Sequence, residues 1–220
     1  SDPREGLRQW RRVRELAPGV ADETLRDELA LQACVQLFTL GWRMGGSEEE
    51  SKAVFAEGRS LAEKAGDRPA LARLIGFYGL MQAQQTGSAL DYVRYGEEAA
   101  EIAAECDDPA LRAAIGTFPA FGNFYVGDGR ATLKWAERVL AETGSDDTLG
   151  KEIAGYAPRA AMIFARAWAL IDLGRLEVTG PPAPILENVR TFLNYAAGQL
   201  DFPQTGTLVY LSGETPSQEV

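Results

Sequence analysis

The adjacent carboxylates Asp107-Asp108, followed by Pro109 and Ala110, are residues with the right chemistry to hold a divalent cation. A DDxxD metal motif of the isoprenoid-enzyme kind sets carboxylates one helical turn apart, and here Pro109 and Ala110 follow the pair instead. Asp108 before Pro109 reads better as the N-cap of a helix with proline in its first turn. Gly150-Lys151-Glu152 holds the chain's single Gly-Lys pair. It lacks the spacing and the hydroxyl residue of a phosphate loop, G-x-x-x-x-G-K-[ST]. Cys34 and Cys106 sit in apolar helical patterns and read as buried, reduced thiols. The chain has no histidine, which removes the commonest general base and the usual catalytic triads. Two thiols alone do not build a structural zinc site, which takes about four N or S ligands. The sequence therefore names no catalytic residue, no metal ligand and no cofactor.

The totals narrow the class. At 220 residues, 45% hydrophobic and 25% charged, the chain can bury one sizeable core or one array of repeats and is not globally disordered. Its 22 basic against 32 acidic residues leave a net charge of −10, which repels phosphate backbones and disfavours nucleic acid as a partner. No run of about 18 apolar residues and no secretory signal pattern occurs, so a cytoplasmic location without a membrane span is expected. The opening Ser1-Asp2-Pro3, without methionine, reads as a piece of a larger protein or the product of a cleaved tag.

The elements follow from periodicity. A helix is expected over 2–17, with Leu7, Trp10, Val13 and Leu16 on one face and Arg4, Arg8, Arg11, Arg12 and Arg14 over the rest. Its basic face reads as solvated, although such a face could dock on an acidic partner or a membrane surface. Residues 24–40 are apolar on nearly every side, so this helix must be covered from several directions. Ser47-Glu48-Glu49-Glu50 then forms an S-x-x-E capping box, with Glu50 expected to reach back to the cap. The helix behind it carries Val54, Gly58, Leu61, Ala62 and Ala65 as one stripe and stops at Gly66.

This pairing of a covered helix with a one-sided helix recurs. Leu71 to Met81 is followed by a Ser88-capped helix carrying Tyr92, Ala99 and Ile102. Leu111 to Tyr125 is followed by Leu133, Ala136 and Val139. Pro119 is expected to kink or split the third covered helix. After a loop and a short turn near Ile153, Pro158 opens a further apolar helix to Leu173. The glycines between helices, Gly41, Gly87, Gly127 and Gly174, stand 46, 40 and 47 residues apart. That irregular period suits helical-hairpin solenoids with loose loops. Pro181-Pro182-Ala183-Pro184 interrupts the pattern, a helix is expected to resume at 185–199, and the rest reads as irregular tail.

Several stretches together resemble a known family. They are Leu40-Gly41-Trp42-Arg43-Met44-Gly45, Phe55-Ala56-Glu57-Gly58-Arg59-Ser60-Leu61-Ala62-Glu63-Lys64-Ala65-Gly66-Asp67, Tyr95-Gly96-Glu97-Glu98-Ala99, Tyr156-Ala157-Pro158 and Leu170-Ile171-Asp172-Leu173-Gly174-Arg175-Leu176-Glu177. Over about residues 4–178 the chain is similar to the tetratricopeptide-like tails of bacterial signalling proteins that carry an AAA-type ATPase and a class III adenylate cyclase. The tails of MalT-like transcriptional activators share the same helical grammar and are the second choice. The resemblance implies a sensing or interaction module whose cyclase and ATPase chemistry lies upstream, and no catalytic residue carries over.

The expected fold is all-α: a tetratricopeptide-like helical-hairpin solenoid, a right-handed superhelix of about four hairpins with a leading helix. It divides into a repeat domain at 1–178 and a Pro-interrupted helix and tail at 179–220, with 185–199 completing the last hairpin. In such a fold the inner helices line a concave surface where partners bind. Arg43, Tyr78, Gln82, Gln85, Phe121, Asn123 and Arg166 are the candidate groove residues. The expected partner is a protein, a peptide or a small effector, and a homo-oligomer is an alternative. That alternative makes the chain an oligomerisation scaffold of its parent; an α-helical enzyme with an internal pocket is a further, weaker reading.

Overall fold

Six consecutive helices start at a side chain that accepts a hydrogen bond from the backbone N–H three residues on. The pairs are Asp22 with Leu25, Ser47 with Glu50, Asp67 with Ala70, Ser88 with Asp91, Asp108 with Leu111 and Asp128 with Ala131, at 2.9–3.2 Å. A computed structural model describes residues 3–44 and 47–174. The helices are α1 Pro3–Leu16, α2 Glu23–Gly41, α3 Glu48–Ala65, α4 Arg68–Thr86, α5 Ala89–Ala104, α6 Pro109–Val126, α7 Gly129–Thr143, α8 Lys151–Ala154 and α9 Pro158–Asp172. No strand occurs among the described residues, and the chain is all-helical there. No helix among them is long and apolar enough to cross a membrane. The helix expected at 185–199 and the tail at 179–220 lie outside the described residues.

Each helix packs on its neighbour in sequence, with α7 meeting α9 past the short α8. A second set of contacts reaches past the neighbour: α2 meets α4, α4 meets α6, and α6 meets α9 past α7 and the short α8. The core follows this second set. Cys34, Phe38, Leu74, Ile75, Phe77, Leu111, Ile115, Phe118 and Met162 are all essentially buried. The intervening helices α3, α5 and α7 bury one stripe each, such as Val54, Gly58 and Ala62 on α3. The described helices fall within one compact unit, 1–180.

Four expectations are corrected. The capping box is half made: Ser47 Oγ caps α3, but the Glu50 carboxylate accepts from Arg11 Nε of α1 at 2.9 Å instead of turning back. The basic face of α1 is not simply solvated, because Arg11 and Arg14 reach Glu50 and Glu57 on α3. Only part of α2 is covered, and Leu25 near its start is 46% exposed. Pro119 does not split α6, which runs unbroken from Pro109 to Val126.

The reason for the last correction lies in the crossing of α5 and α6. A Cβ added at Gly96 would stand 2.8 Å from Pro119 N, and one at Gly122 would stand 2.8 Å from Val93 N. Backbone therefore lies on backbone, and Pro119, which has no N–H to present, faces Gly96 at the closest point. Burial of the surrounding Phe118 and Tyr92 offsets the hydrogen bond that proline removes from the helix.

Candidate functional site

The seven groove candidates are not brought to one place. Tyr78, Gln82 and Gln85 share a face of α4, at i, i+4 and i+7, and that face meets α3. Tyr78 stacks on Phe55 of α3 at 3.9 Å between ring centroids. It also meets Phe38 and Tyr95 edge-on, and burial raises the pKa of its hydroxyl. Gln82 Nε2 donates to Gln85 Oε1 at 3.2 Å, and Gln85 Nε2 donates to Ser51 Oγ of α3 at 3.0 Å. These glutamines clasp a hairpin together. Asn123 is buried and donates to Pro119 O within its own helix at 2.8 Å. Arg166 pairs with Glu137 of α7 at 3.6 Å.

Arg43 and Phe121 both reach residues of the turn between α8 and α9. Arg43 donates to Gly155 O at 2.9 Å and lies over the Trp42 ring at 4.2 Å from its centroid. Phe121 meets Tyr156 edge-on at 6.5 Å. Tyr156 also lies 2.8 Å from Thr117 Oγ1 of α6. Thr117 gives its own proton to Ala114 O, so the tyrosine hydroxyl donates to it.

Periodicity did not pick out a further pair of polar residues, on α2 and α4. Arg73 projects from α4 toward the last turn of α2, with Nη2 3.4 Å from Thr39 Oγ1. Thr39 donates its own proton to Val35 O, leaving its oxygen as an acceptor. Arg73 makes no ion pair among the described residues, and its Nε is buried without a partner. Trp42, one helical turn beyond Thr39, buries its Nε1 without a partner too. Removal from water lowers the Arg73 pKa from its usual value, partly countered by the charge of Asp67. An unsatisfied buried donor costs about 1–3 kcal/mol, so each of the two is an uncommon expense. One signal was available in the sequence: Arg73 is the only charged residue between Pro69 and Thr86.

The second surface feature is aromatic. Phe124 of α6 meets Phe164 and Trp168 of α9 at 6.2 and 5.9 Å. Around them Tyr125 is 64%, Trp168 45% and Ile171 55% exposed. The covering expected for α9 is thus one-sided among the described residues. Two depressions lie elsewhere. One of about 530 Å³ is lined by Arg130, Leu133, Lys134, Glu137 and Leu173, and a cleft of about 30 Å³ opens between Leu7, Phe38, Ser51 and Met81.

Cys34 is fully buried against Gly58, and its thiol pKa is pushed up to about 12, first by burial and then by the Glu57 charge. Such a thiol is packing material and no nucleophile. Cys106 is half-buried, and burial raises its pKa as well. No group of three or more His, Cys, Asp or Glu side chains that could hold a metal occurs among the described residues. Asp108 caps α6, as the sequence indicated.

Compared with known proteins, the chain matches no family model, no characterised protein and no solved structure.

Proposed function

We propose that the helices form a tetratricopeptide-like helical-hairpin solenoid of right-handed sense. In this reading it is a non-catalytic interaction or effector-sensing module of a larger cytoplasmic signalling regulator. The contacts that reach past the neighbour support the architecture, since α2, α4, α6 and α9 then make an inner layer and α3, α5 and α7 an outer one. The family resemblance of residues 4–178 supports the setting. One observation carries the function: the aromatic seam of Phe124, Phe164 and Trp168, which joins two inner-layer helices and leaves Trp168 and Tyr125 open to solvent. Exposed aromatic clusters of this kind are unusual on a surface with no partner, because each buries much area at small entropic cost on binding.

The test uses the full chain with a photo-crosslinking phenylalanine in place of Trp168, made in cells of its source. Discrete adducts with other proteins are expected, and they should vanish when the group is moved to Leu16 on α1, which is 55% exposed. An adduct only between two copies of the chain would replace this reading with that of an oligomerisation scaffold. Adducts no different from those at position 16 would overturn both.

A further inference from the structure

The place between α2 and α4 asks for an acceptor that the described residues do not supply. Two groups define it: the half-buried Arg73 guanidinium, whose Nε has no partner, and Thr39, whose oxygen lies 3.4 Å from Arg73 Nη2; the Trp42 indole N–H, also without a partner, follows one helical turn beyond Thr39. All the unsatisfied atoms there are donors, and one full positive charge accompanies them.

We propose that this place binds a carboxylate, either of a small effector or of an acidic side chain on a bound peptide. The proposal rests on the reading of the inner layer as a binding surface and names the chemistry that it recognises. A guanidinium and a carboxylate match in shape, two parallel N–H donors meeting two oxygens. Arg73 turns on its own side-chain torsions to present its Nε and Nη edge.

Charge separates this ligand from a phosphate. A phosphate ester brings about −1.5 to −2 at neutral pH. The site answers with one half-buried cation in a chain of net charge −10. A single negative charge is balanced there, and a double one is not. The surrounding protein also shows that carboxylates were available. Arg11, Arg14, Arg59 and Arg112 each reach one on another helix. Arg73 is left without one at the place where a ligand would lie against two inner-layer helices.

The test titrates the full chain with acetate, with the singly charged capped peptide acetyl-Gly-Glu-Gly-amide and with inorganic phosphate at matched ionic strength. Binding is read by Trp fluorescence and by the melting temperature. The carboxylate probes are expected to bind the native chain and to weaken roughly tenfold or more with Arg73→Gln. Arg73→Lys is expected to recover only part of the loss, because it keeps the charge and loses the fork. Binding by the glutamyl peptide alone assigns the carboxylate to a peptide, and binding by acetate assigns it to a small effector. Arg73→Gln should melt no lower than the parent chain when no probe is present, whereas an arginine with a purely structural role would lower it. The proposal is overturned if no carboxylate probe binds, if phosphate binds as well as they do, or if Arg73→Gln binds unchanged. If crosslinking at position 168 persists while carboxylate binding is absent, the site fails and the interaction module stands.

Discussion

The crossing of α5 and α6 offers the sharpest test of the packing. Gly96 faces Pro119, Gly122 faces Val93, and both would-be Cβ atoms fall 2.8 Å from a backbone nitrogen of the other helix. Ordinary contact starts near 3.4 Å, so Gly96→Ala must part the two helices by roughly 0.6 Å. Neither side can yield by a rotamer change, because the clash is with main chain. In an isolated helix the same substitution would stabilise by about 0.5–1 kcal/mol. Overpacking costs typically about 1–3 kcal/mol. The net expectation is a loss of about 1–2 kcal/mol, or about 3–6 °C in melting temperature for a domain of this size. Gly41→Ala supplies the comparison, since its Cβ would meet only a Leu7 methyl at 3.6 Å and its effect should stay within about 0.5 kcal/mol.

The assay is urea unfolding followed by far-ultraviolet circular dichroism, with the double variant Gly96→Ala/Gly122→Ala included. Both substitutions need the same separation of α5 from α6. Once one has forced it, the other adds less, so the double loss should fall short of the summed single losses. The reasoning is refuted if Gly96→Ala is neutral or stabilising like Gly41→Ala. Strict additivity would show that the two glycines do not share one crossing.

Three further outcomes are expected. Ser47→Ala should cost about 0.5–2 kcal/mol of stability, whereas Glu50→Gln, which breaks an exposed pair with Arg11, should cost less than about 1 kcal/mol and lose its effect in high salt; urea titrations at two salt concentrations separate them. Iodoacetamide at pH 8 should alkylate Cys106 before Cys34, which reacts only on unfolding; above pH 9 the unfolded chain ionises Cys34 while the native chain holds the proton to about 12, so stability should fall as pH rises through that window by up to about 1.4 kcal/mol per pH unit, and less in Cys34→Ala. Tyr156→Phe removes the donor to Thr117 and should cost about 0.5–1.5 kcal/mol by thermal melting, with no change in helix content.

What was legible in the sequence was local. Ser47, Ser88 and Asp108 declare their caps within three residues, and Asp22, Asp67 and Asp128 obey the same rule. Gly66, Gly87 and Gly127 end their helices with positive φ of 67°, 74° and 80°, where other residues are strained. What failed was set by partners far along the chain. Glu50 satisfies every local condition of a capping box, yet a guanidinium arriving from α1 outbids the backbone N–H. Pro119 satisfies every condition of a helix breaker, yet a glycine on α5 makes its missing N–H useful. The groove set is divided among different faces for a subtler reason. Gln82 and Gln85 look displaced on an apolar helix, but the helix period puts them with Tyr78 on the face that α3 covers.

The same contrast explains why Arg73 matters more than any residue in that set. Polar groups on an apolar helix are unremarkable once a neighbour answers them, and Gln82, Gln85, Thr117 and Asn123 are all answered from within the fold. Arg130 is exposed and has water for its charge. Arg73 has neither condition in full: it is half-buried, its Nε is shut off from solvent, and the oxygen nearest it is a threonine hydroxyl at 3.4 Å. A buried ion pair is often no more stable than a well-packed apolar replacement, so a buried ion without its pair has still less to contribute to folding. With 32 acidic side chains in the sequence, a carboxylate at this spot would have required only one substitution on α2. A charge kept half-desolvated where its answer is withheld is costly to the free protein and favourable to whatever completes it. That asymmetry, in place of any residue count, is the physical ground for seeking the ligand between α2 and α4.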